Sequence, residues 1–363
     1  MVTTAPSTGK QAIISGPTSY IPISRDPISV LNLAAGQVAQ TTLNSIYVIR
    51  TIWLTLALPI TTTAALTAAD FAPGDEWGFI GRVDLLINNG KIRTSLTGEQ
   101  LVMNAYLMAN FVKNNASISA QLAAIGIGSG VLTSTIPLLI KLPSTARPLD
   151  FSMNANFISD LSIRATASNL VGTSSGGGAF ISGSAVSLTA GASPTLTIST
   201  HEALARNLAS QPVFNFLETD YSSVVLAGSG NNVDLLLPTD TTYLRVILNS
   251  KNTATGVDLN AITGMEIQSA AYQPFVGLPS VETEAFFMDH GVPRWQSPFL
   301  NSSFLQTAWV PIDFVRDGYV TESYNVVGQK ISGFKVSVNA ACTINAMMLK
   351  LQPTVVQTVA QAA

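Results

Sequence analysis

Phe157-Ile158-Ser159-Asp160-Leu161-Ser162-Ile163-Arg164-Ala165-Thr166-Ala167 and Lys330-Ile331-Ser332-Gly333-Phe334-Lys335-Val336-Ser337-Val338-Asn339-Ala340 read as two versions of one β-strand. Upstream of the first lies Ile136-Pro137-Leu138, and upstream of the second Val310-Pro311-Ile312; Asp150 and Glu322 hold comparable places between these landmarks. The offsets are 172 to 174 residues in all three places, about half of the 363-residue chain, and the order is kept. Self-similarity at a fixed offset marks a duplicated structural unit.

Working outward, Ile46 to Leu58 is long, β-branched and aromatic, as a buried strand requires, and Thr61 to Thr67 supplies a turn. A second run, Trp77 to Ile87, ends at Asn88-Asn89-Gly90, where Asn-Gly signals a hairpin with Lys91 to Thr94 returning. Thr97-Gly98-Glu99-Gln100 has the form of a helix start, followed by Leu101, Val102, Tyr106, Leu107, Met108 and Phe111 near the 3.6 period, with an end expected at Asn114-Asn115. Extended segments are expected over 132–142, 151–156 and 158–165. Ile181 to Leu188 has room for a strand, and Thr195 to Ser199 closes the half. The second half offers strands around 244–248 and 265–269 and a helix near Glu282 to Asp289. Two consecutive all-β units of about 150 residues, each with one short inserted helix, suit eight-stranded double-sheet sandwiches better than barrels or propellers.

Residues 1–36 carry Pro6, Pro17, Pro22 and Pro27 among Ser and Thr without any period, and read as an extended N-terminal arm. The first sandwich then covers 37–200, the second 201–353, and 354–363 is a C-terminal tail. The uncharged tract Ser168 to Ser193, centred on Ser174-Ser175-Gly176-Gly177-Gly178, reads as a flexible outward loop. Leu122 to Ile140 is also uncharged, but Gly126, Gly128, Gly130 and Pro137 interrupt it, so a loop plus buried strand is expected there instead of a membrane span. The opening Met1 to Lys10 lacks the apolar core of a secretory signal.

Charged residues are 11% of the chain and hydrophobic ones 47%, with a mean hydropathy of +0.35. A compact monomer of 38.2 kDa exposes about 14,000 Å², so the 18 cationic and 21 anionic side chains are spread at roughly one per 360 Å², where ordinary composition gives about one per 150 Å². Such a surface is poorly protected against association, which points to burial against copies of itself. The net charge of −3 leaves no basic excess for phosphates, so direct nucleic-acid binding is not expected.

The chemistry-bearing residues are few. Cys342 is the single cysteine and reads as a small buried apolar residue. Of the two histidines, His201 reads as part of a helix start and His290 as a helix end. No phosphate loop with Gly-Lys-Ser/Thr occurs, and Gly126 to Gly130 lacks dinucleotide-binding spacing. A β-sandwich glycosidase needs only two carboxylates, which Asp70, Asp75 and Glu76, or Asp313 and Asp317, could supply. The plainer reading is a solvated loop or surface pair, and the spacing fits no specific calcium loop. Trp53, Trp77, Trp295 and Trp309 read as core packing before a sugar platform. Asn115-Ala116-Ser117 and Asn301-Ser302-Ser303 match the glycosylation pattern but carry little weight without a secretory signal. No catalytic, cofactor-binding or metal residue is assigned, and no cofactor is expected.

Val48 to Leu54 followed by Gly81 to Gly90 resembles the first half of double jelly-roll major capsid proteins from tailless, membrane-containing icosahedral bacteriophages. Arg147-Pro148-Leu149-Asp150 with Ile158 to Ile163, and Asp313 to Glu322, resemble later strands of the two domains, so the resemblance spans residues 45 to 352. It implies two tandem jelly rolls in a non-enzymatic viral capsid protein. Three chains would form a homotrimeric, pseudo-hexagonal capsomer, and such capsomers would tile an icosahedral shell over an internal membrane. Implied partners are neighbouring capsomers, penton or minor capsid proteins and the viral membrane; the implied location is the virion, after synthesis in the host cytoplasm. On this reading, deleting residues 1–30 spares the trimer and impairs assembly. The alternative is a secreted β-sandwich glycan-binding protein or glycosidase.

Overall fold

A computed structural model describes residues 20–352, except 45–46, 89, 110, 140–152, 156–157, 173–176, 206–215, 240, 270–274, 278, 291–296, 302–303, 315–323, 326 and 328–331. The first half contains β1 (Tyr20–Asn32), β2 (Val38–Thr42), β3 (Val48–Thr62), β4 (Ile80–Ile87), β5 (Lys91–Leu96), α1 (Gly98–Ala109), α2 (Asn115–Ile125), β6 (Gly128–Leu139), β7 (Met153–Asn154), β8 (Leu161–Ala167), β9 (Val186–Leu188) and β10 (Thr195–Ala205). The second contains β11 (Phe216–Leu226), β12 (Gly230–Leu236), β13 (Thr242–Lys251), β14 (Ile262–Ser269), β15 (Phe275–Gly277), α3 (Pro279–His290), β16 (Trp309–Asp313), β17 (Tyr324–Asn325), β18 (Ser332–Val338) and β19 (Cys342–Gln352).

β3 shows why these segments are strands. Ile52, Leu54, Leu56, Leu58 and Ile60 alternate into the core, while Trp53, Thr55 and Ala57 face the other way. In the first half, β1-β10-β3-β6 forms one sheet and β5-β4-β8-β2 the other. In the second half the corresponding sheets are β11-β19-β13-β16 and β15-β14-β18-β12. By rank along the chain the two halves have the same strand order, and each is a jelly roll with eight principal strands among the described residues.

The repeat occupies equivalent places. The two matching segments form β8 and β18, each of which lies between the same two ranked strands of its sheet. Pro137 and Pro311 both sit in an edge strand, opposite Trp53 of β3 and Ile247 of β13. At a sheet edge proline's missing N–H need not cost a ladder bond, and it blocks further strand addition. Asp150 and Glu322 lie outside the described residues.

The two rolls also share a sheet. Thr219 of β11 pairs in parallel with Thr94 of β5, so the β16-β13-β19-β11 sheet continues into β5-β4-β8-β2. β13 and β19 consequently bury side chains on both faces. Val246, Leu248, Ile344, Ala346 and Met348 fill the second roll's own core with Phe334 and Val336. Leu244, Ile247, Met347 and Leu349 turn the other way into a cluster continuous with the first roll's core.

Several expectations change. The arm read over 1–36 includes β1, which pairs with β10 from Tyr20↔Ala205 to Asn32↔Thr195; Pro22 and Pro27 are tolerated because β1 is an edge strand. β10 also runs five residues past the expected boundary at 200. The first roll carries two inserted helices, not one: Asn114 does not end α1 but caps α2, its side chain accepting from Ser117 N–H at 3.0 Å. Leu122 to Ile140 thus begins as helix before becoming β6, and among the described residues no helix is long and apolar enough to cross a membrane. Trp77 to Phe79 belongs to a 3₁₀ turn, Asp75–Phe79, ahead of β4. The tract Ser168 to Ser193 is not simply an outward loop, since Ala179 and Phe180 are fully buried and Phe180 stacks on Phe71 at 4.8 Å.

Candidate functional site

Among the described residues, several buried ion pairs lie where the two rolls meet. α1 begins with a reciprocal cap: Gln100 N–H donates to the Thr97 hydroxyl at 3.3 Å, and Thr97 N–H donates to the Gln100 side-chain oxygen Oε1 at 2.9 Å. This fixes the first turn of α1 and sets Glu99 against the Lys251 ammonium at the end of β13. Burial pushes the Glu99 carboxyl up from its ordinary value, with Lys251 opposing that shift.

Ahead of β4, Asp75 and Glu76 lie fully buried in the 3₁₀ turn, and both meet Lys113, which is buried as well. Lys113 Nζ donates to Asp75 Oδ2 at 2.7 Å and to Glu76 Oε2 and Oε1 at 3.0 and 3.2 Å. Asp75 also reaches the second half: its Oδ2 accepts from Leu300 N–H at 2.6 Å and its Oδ1 from Asn301 N–H at 3.0 Å. Burial raises the Asp75 carboxyl against the pull of Lys113. Burial draws the Lys113 ammonium down, but Glu76 and Asp75 together outweigh it and hold it above the ordinary lysine value. Asp75 takes up a left-handed backbone with φ of 51°, following Gly74 at 97°.

A second buried pair crosses nearby. Arg245 Nη2 donates to Asp313 Oδ2 at 2.6 Å, Nη1 donates to the Leu107 carbonyl of α1 at 3.3 Å, and the guanidinium lies 4.9 Å from the centre of the Phe286 ring. Asn115 donates its amide to the Ser297 carbonyl at 2.9 Å and Asn301 donates to the Phe71 carbonyl, so the amides of both glycosylation-pattern asparagines bridge the halves.

The seam encloses a cleft of about 140 Å³ lined by Glu99, Lys251, Tyr221, Asn249, Asn345 and Trp309. Its polar groups already satisfy one another. The Tyr221 hydroxyl donates to Asn345 at 2.7 Å, Asn345 to Asn249 at 3.3 Å, and Asn249 to Asp258 at 3.1 Å; Trp309 Nε1 donates to Asp258 at 3.0 Å. The volume is below the roughly 300–1,000 Å³ of ordinary ligand sites. Among the described residues no cluster of three or more His, Cys, Asp or Glu could hold a metal ion.

The carboxylates singled out from sequence therefore fall apart as a catalytic set. Asp70 caps the 3₁₀ turn at Ala68–Asp70 by accepting from Thr67, Asp75 and Glu76 share Lys113, and Asp313 pairs with Arg245. The solvated-loop reading is corrected for Asp75, Glu76 and Asp313, which are all buried because each has a cationic partner; Asp317 lies outside the described residues. His201 is an exposed residue of β10, not a helix start, and packs edge-on to Trp53 at 6.4 Å. His290 is the last residue of α3. Trp77 and Trp309 are core residues and Cys342 is buried; Trp295 lies outside the described residues. Sequence reasoning missed Lys113, Arg245 and Lys251; the signal available was their position next to strongly apolar runs.

No protein-family model and no curated protein sequence matches the chain. Solved structures do. The major capsid protein of Sulfolobus Turreted Icosahedral Virus superposes with a TM-score of 0.67 at 12% identity, covering 94% of this chain and 99% of that one. The PBCV-1 virus capsid gives 0.61 at 10% identity, with 92% and 93% covered. The major capsid protein P2 from bacteriophage PM2 gives 0.55 at 11% identity, with 92% and 98% covered. With two rolls of identical strand order and likenesses that run through nearly the whole length of each chain, the protein has the double jelly-roll fold.

Proposed function

We propose that this chain is a viral major capsid protein, a non-enzymatic building block of an icosahedral shell. One observation carries the reading: the likeness to capsid-forming chains covers 92–94% of this chain and 93–99% of theirs, leaving no large part of the chain for another task. The state of the carboxylates supports it, because Asp75, Glu76 and Asp313 are tied to buried cations instead of facing a substrate groove.

Three copies form the capsomer, in which two rolls per chain give a pseudo-hexagonal outline. The low charge density supports this arrangement, since outer faces with so few ions are suited to burial between copies. Neighbouring capsomers, penton or minor capsid proteins and an internal membrane are the further partners, and the virion is the location, following synthesis in the host cytoplasm. The first jelly roll with its N-terminal arm, the second jelly roll and the C-terminal tail act as one unit per chain.

Expression of the full chain followed by electron microscopy tests this reading. Hexagon-outlined particles or closed shells are expected. Elongated fibres, or a monomer that binds or cleaves glycans, would overturn it.

A further inference from the structure

We propose that Lys113 and Asp75 condense to an internal amide cross-link, with Glu76 carrying the protons. The three side chains are buried, and among the described residues the Lys113 amine donates to the two carboxylates. Nζ already lies 2.7 Å from Asp75 Oδ2, which places the amine next to the carbon it would attack, and such fixed proximity replaces an encounter in solution.

The atoms balance without any outside reagent. The Lys113 ammonium gives a proton to Glu76, and Glu76 passes it to Asp75 Oδ2. The free amine then attacks Asp75 Cγ, forming the Nζ–Cγ bond. Negative charge gathers on Asp75 Oδ1, where the Asn301 N–H stands 3.0 Å away to receive it. A second proton leaves nitrogen for Glu76 and is delivered to Oδ2; the Cγ–Oδ2 bond breaks and one water departs. Leu300 N–H, 2.6 Å from Oδ2, holds that oxygen in place until it leaves. Glu76 ends as it began, as a carboxylate.

Burial drives the step in this direction. An ion pair withdrawn from water carries a desolvation penalty that a neutral amide escapes, and little water is present to reverse the reaction. The raised Asp75 carboxyl agrees, since it brings the acid form within reach. The product would tie the 3₁₀ turn to the α1–α2 connection, closing a covalent loop across the part of the first roll that faces the second.

Intact-mass spectrometry of the purified full-length chain tests this, with fragmentation of its peptides. The expected chain is lighter than its sequence by one water and yields a branched peptide joining Asp75 to Lys113. Lys113→Arg and Glu76→Gln should restore the full sequence mass. Asp75→Asn should lose ammonia instead of water and so converge on the same mass as the natural chain, which checks the chemistry even where Lys113→Arg folds poorly. Full sequence mass in the folded natural chain overturns the proposal. So does a one-water deficit that survives Lys113→Arg.

Discussion

Thr94 and Thr219, 125 positions apart and both buried, form the parallel bridge through which the first roll's sheet becomes the second roll's sheet. Around that bridge the apolar faces of β13 and β19 meet the first roll's core, and the ion pairs Glu99–Lys251 and Arg245–Asp313 lie in the same seam. The two rolls thereby share one sheet and one continuous apolar cluster.

Arg245→Met should destabilise the chain by about 3–5 kcal/mol, because Asp313 keeps its buried charge and loses the guanidinium 2.6 Å away. Denaturant midpoints check this. The double variant with Asp313→Asn should cost less than the sum of the single variants, since the two residues act on each other.

Phe180→Ala should cost about 3–5 kcal/mol, the range for a buried aromatic, although Phe180 lies in a glycine- and serine-rich tract. Gly78→Ala should cost about 1–3 kcal/mol, because a Cβ there would meet the Gly178 carbonyl oxygen at 2.1 Å. Thermal unfolding of both variants measures whether this tract is part of the core; values near zero would return it to the status of a loop.

Asp84 and Glu99 should act on stability in opposite directions. Burial alone would raise Asp84, but hydrogen bonds from Arg164, Ser95 and Arg82 outweigh it and hold the carboxyl below its ordinary value. Its contribution is therefore present above the ordinary carboxylate value of about 3.9 and lost as pH falls through the lowered folded value. Glu99 is raised, so its contribution is present below 4.5 and lost as pH rises through the folded value. Urea midpoints taken from acid to neutral pH should show Asp84→Asn losing slope on the acid side and Glu99→Gln losing the decline on the side toward neutrality.

Deleting residues 1–30 should damage the first roll itself, because most of β1 goes and the backbone of β10 loses its outer partner. That outcome replaces the expectation that such a deletion spares the trimer. Circular dichroism and the unfolding midpoint of that deletion check this: a lower midpoint is expected, and an unchanged one would contradict it.

The repeat was legible because it lies in residues that pack: Ile163 and Val336 face equivalent cores, and Pro137 and Pro311 mark equivalent edges. The hairpin at Asn88 to Gly90 and the cap at Thr97 were legible because they are local, each set by residues within a few positions. β1 was hidden by its prolines, which an edge strand accepts. The seam was hidden for a different reason. Lys113 finds Asp75 across 38 positions, Arg245 finds Asp313 across 68, and Lys251 finds Glu99 across 152, so a neighbouring apolar run can hint that the cation is buried but no local pattern names the carboxylate it meets.

The mass of the purified chain in solution, measured by light scattering, bears most directly on the capsid role. Three copies of a 38.2 kDa chain give about 115 kDa, and a stable particle of that mass is expected. A stable, soluble monomer of 38.2 kDa would contradict it.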